Sequence, residues 1–407
     1  MGDVYIVGVG MHPFGRFPDT SMPRLARAAL WDAIRDAGVA PPDIGIAYLA
    51  NCYHGFFTGQ LDAVAPLVFG YAGLSGMPMV HVMGGSGSGS VAVHDAVLAV
   101  KSGEYRLALA VGAEKLFVPG NPAISVSAIG TSGEMTTATD MGLTWVGSFT
   151  MSTRALMEVR GWTPRDFALI VEKNRRHGAL NPEAELREEI SADEVLAARV
   201  VAAPLTRPMC AGAAVDGAAA VLVADEQTAA RLRDGRHPKV LSMGVVSARY
   251  VSNRVEDDRP GMLSMDEAAR AFSIAYERAG VGPEDVGLLQ MHDSTAPEEL
   301  LSYQVTGLCG PGDEPALLRS GATALGGRVP VNTDGGLLAR GHPIAASGVA
   351  QVVETVRQLR GEAGARQARR EDGAPPRIAA TQNAGGQGGP SAGVAVNAAF
   401  LFAGAGS

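Results

Sequence analysis

The stretch Met79–Val100, MVHVMGGSGSGSVAVHDAVLAV, opens with a short apolar run, turns through four glycines interleaved with serines and continues with helical apolar spacing. It reads as a strand feeding a tight turn that opens a helix, a junction that commonly presents a reactive group. Which group this turn presents is the question the rest of the chain must answer.

With 407 residues, 46% of them hydrophobic, the chain has material for two units of ordinary domain size. Its formal charge of -8, and the lack of any Lys/Arg-rich run, argue against a nucleic-acid partner. No apolar run approaches the roughly 20 residues that cross a bilayer, and the N-terminus MGDVYIVGVG has no leader-like composition, so a soluble cytoplasmic protein is expected. Cys52, Cys210 and Cys309 are too few and too scattered for a disulfide framework or a zinc site, and read as buried structural residues.

Apolar segments such as VYIVGVG, LALAVGAEK, AAAVLVAD and AGVAVNAAF alternate with segments of helical period, the pattern of buried strands covered by helices. An internal echo runs through them. Residues 21–45, SMPRLARAALWDAIRDAGVAPPDIG, resemble residues 264–287, SMDEAARAFSIAYERAGVGPEDVG, and both read as a helix ending at glycine before a proline-containing turn. A second echo pairs residues 89–100 with 347–356. Two halves of similar design are predicted, residues 1–235 and 236–407, joined near ADEQTAARLRDGRHPKV. The charged stretch 361–376, GEAGARQARREDGAPP, reads as a solvated surface insertion.

Several simpler functions fail on spacing. The segment GVGMHPFG has Pro13 where a dinucleotide fingerprint needs its third glycine, and none of Ser86, Ser88 or Ser90 has the flanking glycines of a hydrolase nucleophile elbow. The eight histidines form no metal-binding pattern. Two of them sit in suggestive places: His292 in LLQMHDS, at the end of a strand-like run, and His342 in GGLLARGHPIAASG, just ahead of a helix. Because Ser86 and the His342 segment open equivalent helices of the two halves, pseudo-twofold packing is expected to bring them face to face.

These motifs, together with GLSGMPMVHV, PLTRPMCAGAAVDGAAAVLV, MHDSTAPEELLSYQVTGLCGPG, NTDGGLLARGHPIAASG and QNAGGQGGPSAG in that order, resemble thiolases, specifically the sterol-carrier-protein type and its bacterial lipid-transfer relatives. The resemblance spans nearly the whole chain. It implies an α/β fold of five layers, αβαβα, built from two similar halves with the active site between them. It also implies a CoA thioester as substrate with no tightly bound cofactor or metal, and a homodimer or tetramer. A separate companion chain with a zinc ribbon and an OB-fold is a further implied partner.

By that resemblance, the family's nucleophilic cysteine falls on Ser86 and its GHP base on His342. The HDC motif falls on His292, Asp293 and Ser294, with His292 binding the thioester oxygen and the proton-shuttling cysteine standing as Ser294. The glycine segment that supplies backbone N–H groups falls on residues 382–388, with Asn383, Gly385 and Gly386 as its candidate members. His54, in NCYHGFFTGQ, is a further candidate by the internal echo; the alternative is a histidine packed among Tyr53, Phe56 and Phe57. A serine hydroxyl stays protonated at neutral pH and needs its base during attack, unlike a cysteine held as thiolate. Three readings follow: an acyltransferase acting through Ser86, a retro-aldol lyase cleaving a 3-hydroxyacyl-CoA without a covalent intermediate, and a non-catalytic thiolase-like subunit.

Overall fold

The computed structural model describes residues 2–133, 142, 144–233, 235–248, 266–387 and 394–405; residues 264–265 of the first echo and 388–393 of the glycine segment lie outside them. The first half runs β1 (Val4–Gly15), α1 (Met22–Ala37), β2 (Ile46–Ala50), α2 (His54–Thr58), α3 (Val64–Tyr71), β3 (Met79–Val82), α4 (Ser88–Lys101) and β4 (Leu107–Glu114). An excursion carries α5 (Pro122–Gly130), α6 (Trp145–Arg160), α7 (Pro164–Ala179), α8 (Ala192–Ala197) and the hairpin β5 (Val200–Ala202) and β6 (Leu205–Thr206), before β7 (Asp216–Asp225) and α9 (Glu226–Ala229). The second half repeats the plan with β8 (Lys239–Val246), α10 (Asp266–Ala279), β9 (Leu289–Gln290), α11 (Ala296–Val305), α12 (Glu314–Arg319), α13 (Gly336–Ala339), α14 (Ser347–Arg360), β10 (Ile378–Gln387) and β11 (Val394–Ala403).

Strands line up as β3-β2-β4-β7-β1 and β8-β11-β10-β9, and the pair Tyr5–Lys239 joins β1 to β8 so that hydrogen bonding runs through all nine. Helices α4 and α14 lie between the two sheets. Their Ala92, Val93, Val349 and Val353 pack with Val221 and Val223 of one sheet and Phe400 and Phe402 of the other in a single cluster. Outside, α1 and α3 cover the first sheet through Leu25, Leu30 and Phe69, and α7, α10 and α11 cover the second through Phe167, Phe272 and Leu300. Five layers, αβαβα, result. Strands buried on both faces, β4 throughout, explain why these segments are continuously apolar rather than alternating.

Over its described residues the first echo gives equivalent helix ends and turns. Helix α1 closes on Gly38 at φ 70° and α10 on Gly280 at φ 68°, the left-handed conformation that an L side chain resists. The proline turns Pro41–Asp43 and Pro283–Asp285 then lead towards β2 and β9.

One expectation is corrected here. The stretch 361–376 is not wholly a solvated insertion, because Ala363, Arg366 and Ala368 are buried. Arg366 Nη2 lies 2.9 Å from Glu354 Oε2 of α14, and the Gln358 amide donates to the Arg366 carbonyl oxygen, so the segment straps the central helix. Charge-rich composition misled, because it records charges and not their pairing. No helix among the described residues is long and apolar enough to cross a membrane.

Candidate functional site

Helices α4 and α14 each begin after a single 3-10 turn, Gly85–Gly87 and Ile344–Ala346, so the two halves present equivalent turns to each other. Glycine makes the meeting possible. A Cβ on Gly89 would sit 2.5 Å from the Ala345 carbonyl oxygen, and one on Gly348 would sit 2.5 Å from Ser90 Oγ. Ser86 on one turn thereby meets His342 beside the other, with Oγ 3.1 Å from Nε2. On the far side of that ring, His342 Nδ1 is 2.7 Å from Ser347 Oγ. With Nδ1–H donating to Ser347, Nε2 is left to accept the Ser86 proton. Burial, then the neighbouring His292 and Arg340, push the His342 pKa well below 6.5, so the ring is neutral and ready to accept.

His292 follows β9 and packs edge-on to His342, with ring centroids 5.2 Å apart. Its backbone N–H donates to Gln382 Oε1 at 3.0 Å, and the Asn383 side-chain amide donates to its Nδ1 at 3.1 Å. An amide N–H can only donate, so Nδ1 accepts and the ring proton stands on Nε2. Burial and Arg340 hold the His292 pKa down to about 3. Asn383 thus positions a ring rather than facing the site itself. Asp293 is also a supporting group: it is fully buried and accepts from Asn174 Nδ2 at 2.9 Å and the Leu337 N–H at 2.7 Å. The Ser294 hydroxyl donates to Glu298 Oε2, which also takes the Thr295 backbone N–H at 2.8 Å. Burial raises the Glu298 pKa to about 7.

Ser86, His292, Ser294, His342, Gly385 and Gly386 line one cavity of about 170 Å³. Ile129, Trp145, Val146, Phe149 and Ile344 give it apolar walls, and Glu298 stands at its edge. Gly385 presses on the Ser86 turn, since a Cβ there would meet Ser86 N at 2.4 Å. His54 does not line this cavity. It opens α2, its N–H donates to Asn51 Oδ1 at 3.1 Å, and burial together with His81 lowers its pKa. Cys52 lies beneath the turn, with Sγ 3.1 Å from Ser88 Oγ, and Cys210 lines the cavity, so neither is merely core filling. Burial raises the Cys52 thiol to about 12 and the Cys210 thiol to about 11, which keeps both protonated.

The sequence reading missed Glu298 and the wall from α5 and α6. Glu298 stands at the fourth place of Thr295-Ala296-Pro297-Glu298, a capping-box spacing that reads as helix punctuation. The wall carries no motif.

Residues 4–144 match the thiolase N-terminal domain and residues 248–396 the thiolase C-terminal domain-like family. The benzoylsuccinyl-CoA thiolase subunit BbsB of Thauera aromatica is 35% identical over 387 residues, covering 94% of each chain. The chain belongs to the thiolase family. An acetyl-CoA acetyltransferase of Methanothermobacter thermautotrophicus is 32% identical, covering 96% of this chain and 98% of its own. Sterol carrier protein 2 of Rattus norvegicus is 30% identical over 89% of this chain and 67% of its own. Among solved structures, an Ltp2-ChsH2(DUF35) aldolase superposes with a TM-score of 0.78, at 22% identity and over 99% of this chain and 98% of that one, a likeness of fold. This is therefore a thiolase-family protein of acyl-CoA acetyltransferase-like type.

Proposed function

We propose that this thiolase-family protein is an acyltransferase that takes an acyl group from a CoA thioester onto Ser86, with His342 as the base. The observation that carries the reading is the 3.1 Å contact between Ser86 Oγ and a neutral, buried His342 Nε2. During attack the hydroxyl proton passes to Nε2 as Oγ bonds to the carbonyl carbon. The carbon–sulfur bond then breaks, and His342 returns the proton to the departing CoA thiolate. The developing oxyanion is met by the His292 Nε2–H and by the positive end of α4. An imidazolium beside Arg340, with only Ser347 behind it, is poorly stabilised on its own, so in this step His342 hands the proton to the departing thiolate. An oxygen ester is more stable than the thioester it replaces, which favours a hydroxyl acceptor, water or an alcohol, over return to CoA.

A second reading, retro-aldol cleavage of a 3-hydroxyacyl-CoA, is favoured by the buried Glu298 carboxyl, a base that needs no covalent intermediate, and by the aldolase in the name of the structural neighbour. Turnover separates them. Under acyl transfer, Ser86→Ala abolishes turnover; under retro-aldol cleavage it leaves aldehyde or ketone release intact. His342→Ala removes activity under both, and unchanged turnover in that variant contradicts both.

The relative BbsB is named a subunit and the structural neighbour pairs Ltp2 with a DUF35 chain, which supports a separate companion protein for this cytoplasmic enzyme. Homodimerisation is proposed through β3, one edge strand of the sheet, where Val80 and, just past the strand, Met83 are exposed. Co-purification with a zinc-ribbon/OB-fold partner is the expected result; an active homo-oligomer that ignores the partner contradicts the companion.

A further inference from the structure

We propose that Glu298, working through Ser294, is the second acid/base group of the cavity, giving a proton to the departing carbon of a 3-oxoacyl-CoA and recovering one from the acyl acceptor. The inference rests on the Ser86 reading and deepens it.

Its ground is geometric. Ser294 and Glu298 both line the cavity that holds Ser86 and His342, and the Ser294 hydroxyl donates to Glu298 Oε2. The carboxyl is buried, with Cys210, His292 and His342 as the titratable neighbours around the same space. Cys210 stays protonated and His292 and His342 are neutral in the resting site, so none of them supplies a charge that would hold Glu298 ionised. Burial brings its pKa to about 7, where a carboxyl both gives and takes a proton. As a plain helix cap Glu298 needs only to accept from Thr295 N–H, which does not require it to face the cavity or to hold a second hydroxyl.

A second group also divides the proton transfers between two sites. The Ser86 hydroxyl adds to C3 of the 3-oxoacyl-CoA and its proton goes to His342. The C2–C3 bond breaks, its electron pair goes to C2, and that carbon takes the proton of Ser294, which Glu298 replenishes. This leaves acyl-Ser86, a carboxylate at Glu298, imidazolium at His342 and a released acyl-CoA shorter by the retained acyl group. A hydroxyl acceptor then attacks the ester and loses its proton through Ser294 to Glu298. As the Ser86 ester bond breaks, Oγ takes back the proton from His342. Both groups end as they began. With His342 alone, one ring would have to serve the serine oxygen, the departing carbon and the acceptor in turn.

The test compares acetyl-CoA, which acylates Ser86 without carbon–carbon cleavage, with acetoacetyl-CoA, which requires it. Glu298→Gln keeps an oxygen to accept from Thr295, so the cap survives. In this variant we expect Ser86 acylation by acetyl-CoA to fall far less than acetoacetyl-CoA cleavage. Acetoacetyl-CoA cleavage falls by about 10²-fold or more, and the limb of its pH profile near 7 disappears. Ser294→Ala gives the same split. Unchanged cleavage and pH profile in Glu298→Gln overturn the inference, and so does an equal loss of both reactions, which marks a structural cap. Failure of the unmodified protein to form a Ser86 adduct with either thioester is a different result: it refutes the Ser86 reading itself.

Discussion

Gly385→Ala is the sharpest steric perturbation the site allows. A Cβ at that position would stand 2.1 Å from Gly87 N, 2.4 Å from Ser86 N and 2.8 Å from Ser86 C, where ordinary contact begins at 3.4 Å. All three atoms are backbone, so no side chain can swing aside. Gly385 is paired with Val396 in the β10–β11 ladder, which holds one side of the clash in place. The glycine turn must therefore retreat by about 1 Å. Overpacking of this kind costs about 1–3 kcal/mol of stability, and a 1 Å displacement of a reacting atom costs about 10²-fold in rate. The assay is the time course of acyl-Ser86 formation, read by intact mass, beside a denaturant titration. Gly70→Ala is the control: Gly70 lies in α3 with nothing within 4 Å of its would-be Cβ, so it should leave the rate unchanged and stability equal or slightly higher. Acylation of Gly385→Ala at the unmodified rate would refute the tight apposition of β10 and the turn.

Other outcomes follow from the buried polar groups. The His292 pKa is about 3 in the folded chain against 6.5 unfolded, so the unfolded chain takes up a proton that the folded chain refuses as pH falls below 6.5. Glu114 and Glu298, raised to about 7, act in the opposite direction, gaining protons in the folded state as pH falls towards 4.5. The slope is therefore read as a difference: between pH 6.5 and 5 the unmodified chain should lose about 1 kcal/mol more per pH unit than His292→Asn, and equal slopes contradict a buried neutral ring. Nitrogen NMR of His292 should place its proton on Nε2, and Asn383→Ala should slow Ser86 acylation by about 10- to 100-fold; a proton on Nδ1 contradicts the orientation given by Asn383. Arg366→Met strands the buried Glu354 carboxylate and should cost about 3–5 kcal/mol in urea unfolding, most of it recovered on adding Glu354→Leu; a loss under 1 kcal/mol would show the pair to be solvated.

The parts of this molecule that repeat were the parts its sequence revealed. The echo of residues 21–45 in 264–287 survives as two helices ending on left-handed glycines, because glycine and proline act on their own neighbours and need no distant partner. The meeting of Ser86 with the GHP loop was legible for a similar reason, since equivalent helices of duplicated halves pack about a common axis. Tertiary pairing hid the rest. Arg366 looked solvated until Glu354 faced it, and Glu298 looked like a cap until its contact with the Ser294 hydroxyl and its place in the cavity wall were in view. His54 shows the converse: the echo suggested that its loop faces the pocket, but His54 is not among the residues that line the cavity.

The central claim is that Ser86 bears the acyl group, and intact-protein mass spectrometry after incubation with acyl-CoA thioesters tests it directly. The account predicts a mass gain equal to the acyl group, abolished in Ser86→Ala and strongly slowed in His342→Ala. A protein that turns over a CoA substrate with no adduct, and does so equally well as Ser86→Ala, would contradict it.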